Sequence, residues 1–268
     1  MLKNTTALII SLLAVFGTYA REQESPTFTA AKQNMQKIFR KLDNPTTLYC
    51  GCPISFPLFQ KYRPDLEKCG YIIRFDEKRA RRIEAEHIMP AWEFGHKMQC
   101  WKKGKRRFCS ATSPEYSAME SDLHNLYPAI GEVNQDRSNF SFAQTASGYK
   151  NSSKGSFKEK KYHGDTYEVY NNSHKTAKIG NYGNCVLAID TKRQRIVPPD
   201  RAKGIIARAY LYMHQQYQVE LDDEHLNLFY RWNREFAPDS NECRRNTLIQ
   251  KIQGNDNPFV TQACRLEK

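Results

Sequence analysis

The feature that most restricts how this chain can fold is a set of eight cysteines that all follow an apolar leader. Residues 1–20 combine Lys3, an apolar run and a small residue at Ala20, which is the pattern of a cleaved export signal. The run is shorter than the roughly 20 apolar residues of a membrane span, although an uncleaved anchor is the alternative. We expect cleavage near Ala20 and a mature domain over 21–268, periplasmic or secreted and without a membrane segment.

An even number of cysteines in an oxidising compartment favours disulfides, here four of them. Two pairs that each close a short loop are predicted, Cys100 with Cys109 and Cys243 with Cys264. The other four cysteines stay unassigned, because eight cysteines permit about 105 pairings. A structural zinc site is the competing interpretation, but Cys50 and Cys52 lie closer in sequence than zinc-ligand pairs usually do.

The charge balance of the chain indicates a polyanionic partner. Lys and Arg number 41 against 29 Asp and Glu, which gives a net charge of +12. Such an excess favours nucleic acid, through phosphate contacts and the release of counterions. A basic surface with no specific partner is the alternative.

Hydrophobic periodicity predicts one helix-rich α+β domain. Helices are predicted over 28–42, 131–140, 222–236 and 244–253, and another follows Pro199 and reaches Met213. Strands are predicted over 85–89, 123–127 and 185–190. The basic segment 99–109 is predicted to be a loop closed by its two cysteines. The lysine-rich segment 148–180 is predicted to be a polar surface insertion with a short hairpin near 166–170.

Three clusters of carboxylates, imidazoles and amides, at 83–96, 119–128 and 131–139, suggest a phosphodiester-cleaving site. Such a reaction needs a cation on the phosphate oxygens and a base for water. Glu86 and Asn134 offer the oxygen ligands that Mg²⁺ prefers. His87 suits the base because an imidazole is largely neutral at pH 7, and Arg106 can bind a phosphate through two hydrogen bonds. Each residue alone has an ordinary structural explanation, so the prediction depends on their combination.

A series of ordered motifs extends over most of the chain. They are EHIMPAWEFGH at 86–96, CW at 100–101, MESDLHNL at 119–126, GEVNQDRSN at 131–139, RAKGIIAR at 201–208 and QGNDNPFV at 253–260. In these motifs the sequence resembles the bacterial endonuclease I family. The likeness runs from about Phe28 to about Arg265 and is interrupted by the segment 148–180.

The resemblance implies a disulfide-stapled α+β domain around a ββα-metal (His-Me finger) motif. It also implies a sequence-nonspecific nuclease that cuts double- and single-stranded DNA and RNA and leaves 5′-phosphate ends. Carried over by position, His87 is the general base, Arg106 contacts the scissile phosphate and Glu120 supports the site. Glu86 and Asn134 are implied to bind one Mg²⁺, for which Mn²⁺ or Ca²⁺ can substitute in binding. We expect a monomer.

Two other functions are compatible with parts of this pattern. A basic nucleic-acid-binding protein of the same fold without turnover would keep the charge, but Glu86, His87 and Asn134 favour the enzyme. A zinc-stapled structural protein would leave its cysteines as thiolates rather than disulfides.

Overall fold

The computed structural model describes residues 26–59, 61–74, 76–144, 160–162, 166–171, 174–190 and 193–266, so the expected signal segment 1–20 lies outside the described residues. The helices are α1 Phe28–Phe39, α2 Glu77–Ala80, α3 Ala91–Gly95, α4 Gln99–Thr112, α5 Pro114–Ser121, α6 Gly131–Arg137, α7 Asp200–Tyr217, α8 Asp223–Glu235, α9 Ser240–Gln253 and α10 Pro258–Leu266. The strands are β1 Ile54–Ser55, β2 Arg63–Pro64, β3 Ile83–His87, β4 Leu126–Ile130, β5 Ser141–Phe142, β6 Lys160–Tyr162, β7 Thr166–Asn171, β8 His174–Tyr182, β9 Cys185–Asp190 and β10 Arg195–Val197.

Strands β3 and β4 and helix α6 form the ββα unit on which the fold is organised. The strands pair antiparallel, with Ile83 opposite Ile130 and His87 opposite Leu126, and α6 follows β4 directly. Helices α3, α4 and α5 lie between the two strands in sequence. The predicted helix-rich α+β domain is therefore confirmed, and its central hairpin is formed by segments far apart in the chain.

Two hydrophobic clusters hold the ββα unit in place. Helix α7 is the main buried element, and its Ile206 and Tyr210 pack with Trp232 of α8. Helix α1 supplies the second cluster, because apolar residues spaced along one face of the helix are buried together, among them Met35 and Phe39. No helix in the described part of the chain is both long enough and apolar enough to cross a bilayer.

Four disulfides fix the described segments to one another. The two predicted pairs are confirmed, and the remaining pairs are Cys50–Cys185 and Cys52–Cys69. Because every cysteine is in a disulfide, the zinc-stapled interpretation is wrong. The Thr47–Cys52 turn is thus joined at Cys50 to β9 and at Cys52 to the segment that precedes α2.

The hairpin predicted near 166–170 corresponds to the antiparallel strands β7 and β8, and the segment 148–180 contains more strand than was predicted. Residues 148–159, 163–165 and 172–173 lie outside the described residues, but the rest supplies strands β6, β7 and part of β8. These strands extend a six-stranded sheet in the order β5-β10-β9-β8-β7-β6. The run Thr166–Asn171 is rich in residues that favour strands, including Tyr167 and Val169, which was the signal for the hairpin.

The basic segment 99–109 also differs from its prediction, because it belongs to helix α4 rather than to a loop. The helix is interrupted by non-helical backbone at Gly104 and Lys105, where the glycine interrupts the helical pattern. The disulfide between Cys100 and Cys109 spans this interruption. Arg106 therefore lies on a cross-linked helix rather than on a loop.

Stability should decrease in mild acid because His124 is buried in its neutral form. Burial lowers the pKa of His124 to about 4, below its value in the unfolded chain of about 6.5. The unfolded chain therefore binds the extra proton between those two values, and stability is lost as the pH falls from about 6.5 toward 4. The loss is on the order of 3 kcal/mol. Urea unfolding at pH 7.5 and 4.5 measures it.

The control for this prediction is His124→Gln, which keeps a donor for the Asn255 carbonyl that His124 contacts at 3.2 Å but does not titrate. The pH-dependent part of the free energy of unfolding should be smaller in the variant. An equal acid loss in both proteins would contradict the assignment to His124.

Candidate active site

One cavity of about 1100 Å³ collects most of the predicted site residues. Strand β3 brings Glu86 and His87 to it, α6 brings Asn134 and α4 brings Arg106. Its lining is markedly basic, with Lys32, Lys61, Arg79, Arg82 and Arg106. Glu120, the fifth predicted residue, is buried at the end of α5 behind this surface and touches two of the others.

His87 has a defined tautomer. Its Nε2 lies 2.8 Å from the backbone carbonyl oxygen of Glu120, and a carbonyl oxygen can only accept a hydrogen bond. Nε2 therefore carries the proton, and the lone pair is on Nδ1. None of the described residues hydrogen-bonds to Nδ1. Burial, with Arg106 and Arg137 nearby, lowers the pKa of His87 to about 3, so the ring is neutral at pH 7.

Phe28 packs against the imidazole of His87, and sequence reasoning did not identify it. The two ring centroids are 4.8 Å apart. The guanidinium of Arg106 lies over the Phe28 ring, 5.1 Å from its centroid. Thr27 caps α1 by accepting a hydrogen bond from the Ala30 amide at 3.2 Å. The beginning of the first helix is thus part of the site.

Arg106 is held by the carboxylate of Glu120. Its Nε donates to Glu120 Oε1 at 2.6 Å, while Ser110 donates to Oε2 at 2.7 Å. The side chain of Arg106 is 43% exposed and that of Glu120 only 5%. The guanidinium therefore keeps donors free toward the cavity, and Glu120 orients both Arg106 and His87.

Glu86 is buried, and one of its oxygens is engaged. Oε1 accepts a hydrogen bond from the Tyr49 hydroxyl at 2.7 Å and lies 3.4 Å from Arg137 Nε. Among the described residues no hydrogen bond reaches Oε2. Burial raises the pKa of Glu86 to about 7, against the opposing effects of Arg137 and Tyr49.

Arg137 is a second residue that the sequence reasoning did not single out. It is buried, and its guanidinium donates to the carbonyl oxygens of His87 at 3.3 Å and Ile88 at 2.6 Å. These bonds fix the backbone at the end of β3, from which Glu86 and His87 project. The 131–139 motif contained Arg137, but no sequence signal assigned this contact to it.

Asn134 faces the same cavity and donates its side-chain amide to Glu84. The distance from Asn134 Nδ2 to Glu84 Oε2 is 2.8 Å. Glu84 also lines the cavity, two residues before Glu86 on β3. Alternation along a strand puts both glutamates on one face, and that spacing was the available signal for Glu84.

The donor set fits a hard divalent cation. Glu86 Oε2 and Asn134 Oδ1 are oxygens of the kind that Mg²⁺ prefers, and neither is occupied by a hydrogen bond within the described residues. A buried carboxylate whose pKa is raised gains from a neighbouring cation, because positive charge favours its ionised form. Within the described ranges no group of three or more His, Cys, Asp or Glu side chains is suited to hold a metal, so a cation here would keep several waters, as Mg²⁺ usually does.

A β-hairpin followed by a helix, with a Glu-His pair ending its first strand inside a basic cavity, has the architecture of the ββα-metal nucleases. The profile of the Endonuclease I family matches residues 18–176 and 148–264. The chain belongs to the endonuclease I family.

Named relatives agree with this assignment. A periplasmic deoxyribonuclease of Aeromonas hydrophila is 41% identical over 259 residues, covering 96% of this chain and 95% of the relative. Endonuclease-1 of Buchnera aphidicola subsp. Baizongia pistaciae is 40% identical over 260 residues, 97% of this chain and 93% of the relative. An extracellular ribonuclease of Bacillus amyloliquefaciens is 28% identical over 275 residues, 96% of this chain and 79% of that protein.

Proposed function

We propose that this protein is an exported, metal-dependent and sequence-nonspecific endonuclease that hydrolyses phosphodiester bonds of DNA and RNA. The observation that carries the proposal is the tautomer of His87, whose unprotonated Nδ1 belongs to a neutral ring in a basic cavity. A neutral imidazole with a free lone pair is what a general base requires. The relatives named as periplasmic or extracellular deoxyribonucleases, and as a ribonuclease, support export and both substrates.

In the proposed reaction His87 takes a proton from water at Nδ1. The water oxygen forms a bond to phosphorus as the bond to the 3′ oxygen breaks. The departing 3′ oxygen takes a proton from solvent, which leaves 5′-phosphate and 3′-hydroxyl ends. The anionic phosphate of the substrate opposes the effect of Arg106 and Arg137 on the imidazole, so it raises the basicity of His87 when it binds. The Glu120 carbonyl stabilises the imidazolium that results.

Glu86 and Asn134 would hold Mg²⁺, or Mn²⁺ or Ca²⁺ in binding, beside this base. When bound, the cation supplies positive charge to the non-bridging oxygens of the phosphate, where negative charge develops. Arg106 supplies the second positive group, and Glu120 keeps it pointed at the cavity. The cavity lysines Lys32 and Lys61, together with the net charge of +12, favour binding to the phosphate backbone. Both double- and single-stranded nucleic acids carry this backbone and are proposed substrates. We expect a monomer to carry the complete site.

A binding protein of the same fold without turnover is the alternative. It would need the basic cavity but not a base with a defined tautomer or a buried carboxylate with a free oxygen. Cleavage of plasmid DNA by the oxidised protein, with and without Mg²⁺, tests the proposal. A mobility shift without cleavage in every condition would favour the alternative.

Arg106→Ala should weaken catalysis more than binding. Its guanidinium is expected to contact the phosphate where charge develops, and removing one such donor costs about 100-fold in kcat. The affinity for uncleaved DNA, measured in the His87→Ala background, should fall only by the loss of one phosphate contact, with a salt slope smaller by about 1. Single-turnover cleavage and fluorescence anisotropy give the two numbers.

The matched control is Arg107→Ala, which removes the same charge from the next residue of α4. Arg107 does not line the large cavity. It should change the salt dependence of binding and leave the single-turnover rate near the wild-type value. Equal effects of both substitutions on the rate would make Arg106 an ordinary phosphate contact.

A further inference from the structure

The carboxylate of Glu84 is surrounded by donors. Oε1 accepts from Arg79 Nε at 2.9 Å and from two nitrogens of Arg82, Nε at 2.8 Å and Nη2 at 2.6 Å. Oε2 accepts from Arg79 Nη2 at 2.8 Å and from Asn134 Nδ2 at 2.8 Å. The two arginines neutralise the charge of Glu84, and both of its oxygens are engaged.

This arrangement decides which atom of Asn134 faces the cavity. An ionised carboxylate can accept hydrogen bonds but cannot donate them. The Asn134 amide therefore has to turn its NH₂ group toward Glu84, since the opposite orientation would set two acceptors against each other. Oδ1 is left on the other side of the amide as the free acceptor.

We infer that Glu84 is a positioning residue that fixes the amide of Asn134 so that Oδ1 is presented to a divalent cation held with Glu86. The inference rests on the proposed function for the existence of that cation. It gives Glu84 a different task from Glu86, although the two are alternate residues of one strand. Glu84 is kept from ligating by Arg79 and Arg82, while Glu86 has a free oxygen.

Glu86 and Asn134 are held in the same way, each with one polar atom bound by a partner and one oxygen left free by the described residues. Tyr49 and Arg137 engage Oε1 of Glu86 and leave Oε2. Glu84 engages Nδ2 of Asn134 and leaves Oδ1. Partners that orient metal ligands in this way commonly contribute a factor of about 10 to 100 in metal affinity.

The test is the affinity of the oxidised mature protein for Mn²⁺ alone, measured by isothermal titration calorimetry without nucleic acid. Glu84→Asp keeps the charge but shortens the side chain by one methylene, so that it no longer reaches Asn134 Nδ2. Mn²⁺ affinity should fall about 10-fold or more in Glu84→Asp and in Glu84→Ala. If Glu84 acted only through its charge, Glu84→Asp would bind like the wild type, and that result would overturn the inference.

Two control variants separate positioning from structural support. Arg82→Ala removes two donors to Glu84 but leaves the contact with Asn134, so its affinity for Mn²⁺ should not fall. Glu77→Asp shortens an exposed glutamate that pairs with Arg81 at 2.8 Å, and it should have no effect. A loss in Arg82→Ala as large as in Glu84→Asp would assign Glu84 to the ion-pair network and overturn the inference.

The outcome also distinguishes this inference from the proposed function. Wild-type affinity in Glu84→Asp and Glu84→Ala, with Mn²⁺ bound by the wild type, overturns the role of Glu84 and leaves the metal-dependent nuclease in place. Absence of Mn²⁺ binding in the wild type overturns the metal site itself, and the role of Glu84 with it. Thermal unfolding shows whether each variant is folded. If Glu84→Ala is misfolded, the Mn²⁺ affinity of Glu84→Asp, the smaller change, tests the inference.

Discussion

His87→Ala is expected to abolish nearly all cleavage while the protein stays folded and binds DNA. A positioned general base contributes about 100- to 10,000-fold to a rate, and none of the other imidazoles in the described residues lines the cavity. The substitution removes Nδ1 and leaves Glu86, Asn134 and Arg106 in place, so DNA and Mn²⁺ affinity should change little. Single-turnover cleavage of a labelled duplex measures the loss.

Imidazole added to the solution should partly replace the missing side chain in His87→Ala. A small base that enters the space left by the His87 ring should restore part of the rate in His87→Ala, with a dependence on its unprotonated form. His96→Ala is the matched control, because His96 belongs to the same motif but stacks on Trp92, with ring centroids 4.0 Å apart. His96→Ala should cleave like the wild type. A folded His87→Ala protein with near-normal turnover would contradict the mechanism.

Removal of the Cys50–Cys185 disulfide is expected to have the second large effect. The two cysteines are separated by 135 residues in sequence. Without the disulfide the unfolded chain gains the conformational entropy of this long loop, which lowers the free energy of unfolding by about 5 kcal/mol. The residue next to Cys50 is Tyr49, which holds Glu86. The Cys50→Ala/Cys185→Ala variant should therefore lose both stability in urea and cleavage at 37 °C.

The control is Cys243→Ala/Cys264→Ala, which removes the disulfide that joins α9 to α10. This pair is separated by 21 residues, for which the same estimate gives about 3 kcal/mol. It should lower stability less and keep most of the cleavage at 37 °C. If the two double variants behaved alike in both measurements, the Thr47–Cys52 turn would have no special part in the site.

The site residues could be proposed from the sequence, and the structure brings them to one cavity, because their chemistry is concentrated in short motifs. Glu86 and His87 are adjacent, and Asn134 lies in the motif that forms α6. The two disulfides with short loops were predictable for the same reason. Cys50–Cys185 and Cys52–Cys69 were not, because their pairing depends on how distant segments are brought together by the fold.

The residues that sequence reasoning missed orient other side chains of the site, from positions that are distant in sequence. Tyr49 reaches Glu86 from 37 positions away, and Glu84 reaches Asn134 from 50. Nothing local in the chain indicates either contact. Helix α4 was missed for a different reason, since Gly104 and a high density of lysine and arginine resemble a loop, whereas the disulfide across Gly104 stabilises the helix.

The most direct test of the metal-dependent nuclease uses supercoiled plasmid and the oxidised, mature protein. The wild type and Glu86→Gln are each incubated in Mg²⁺, in EDTA, and in EDTA followed by excess Mg²⁺. We predict that the wild type nicks and degrades the plasmid in Mg²⁺, stops in EDTA and resumes when Mg²⁺ is restored, while Glu86→Gln stays inactive at the same Mg²⁺ concentration. Cleavage by the wild type in EDTA at its full rate, or by Glu86→Gln at the wild-type rate, would contradict the account.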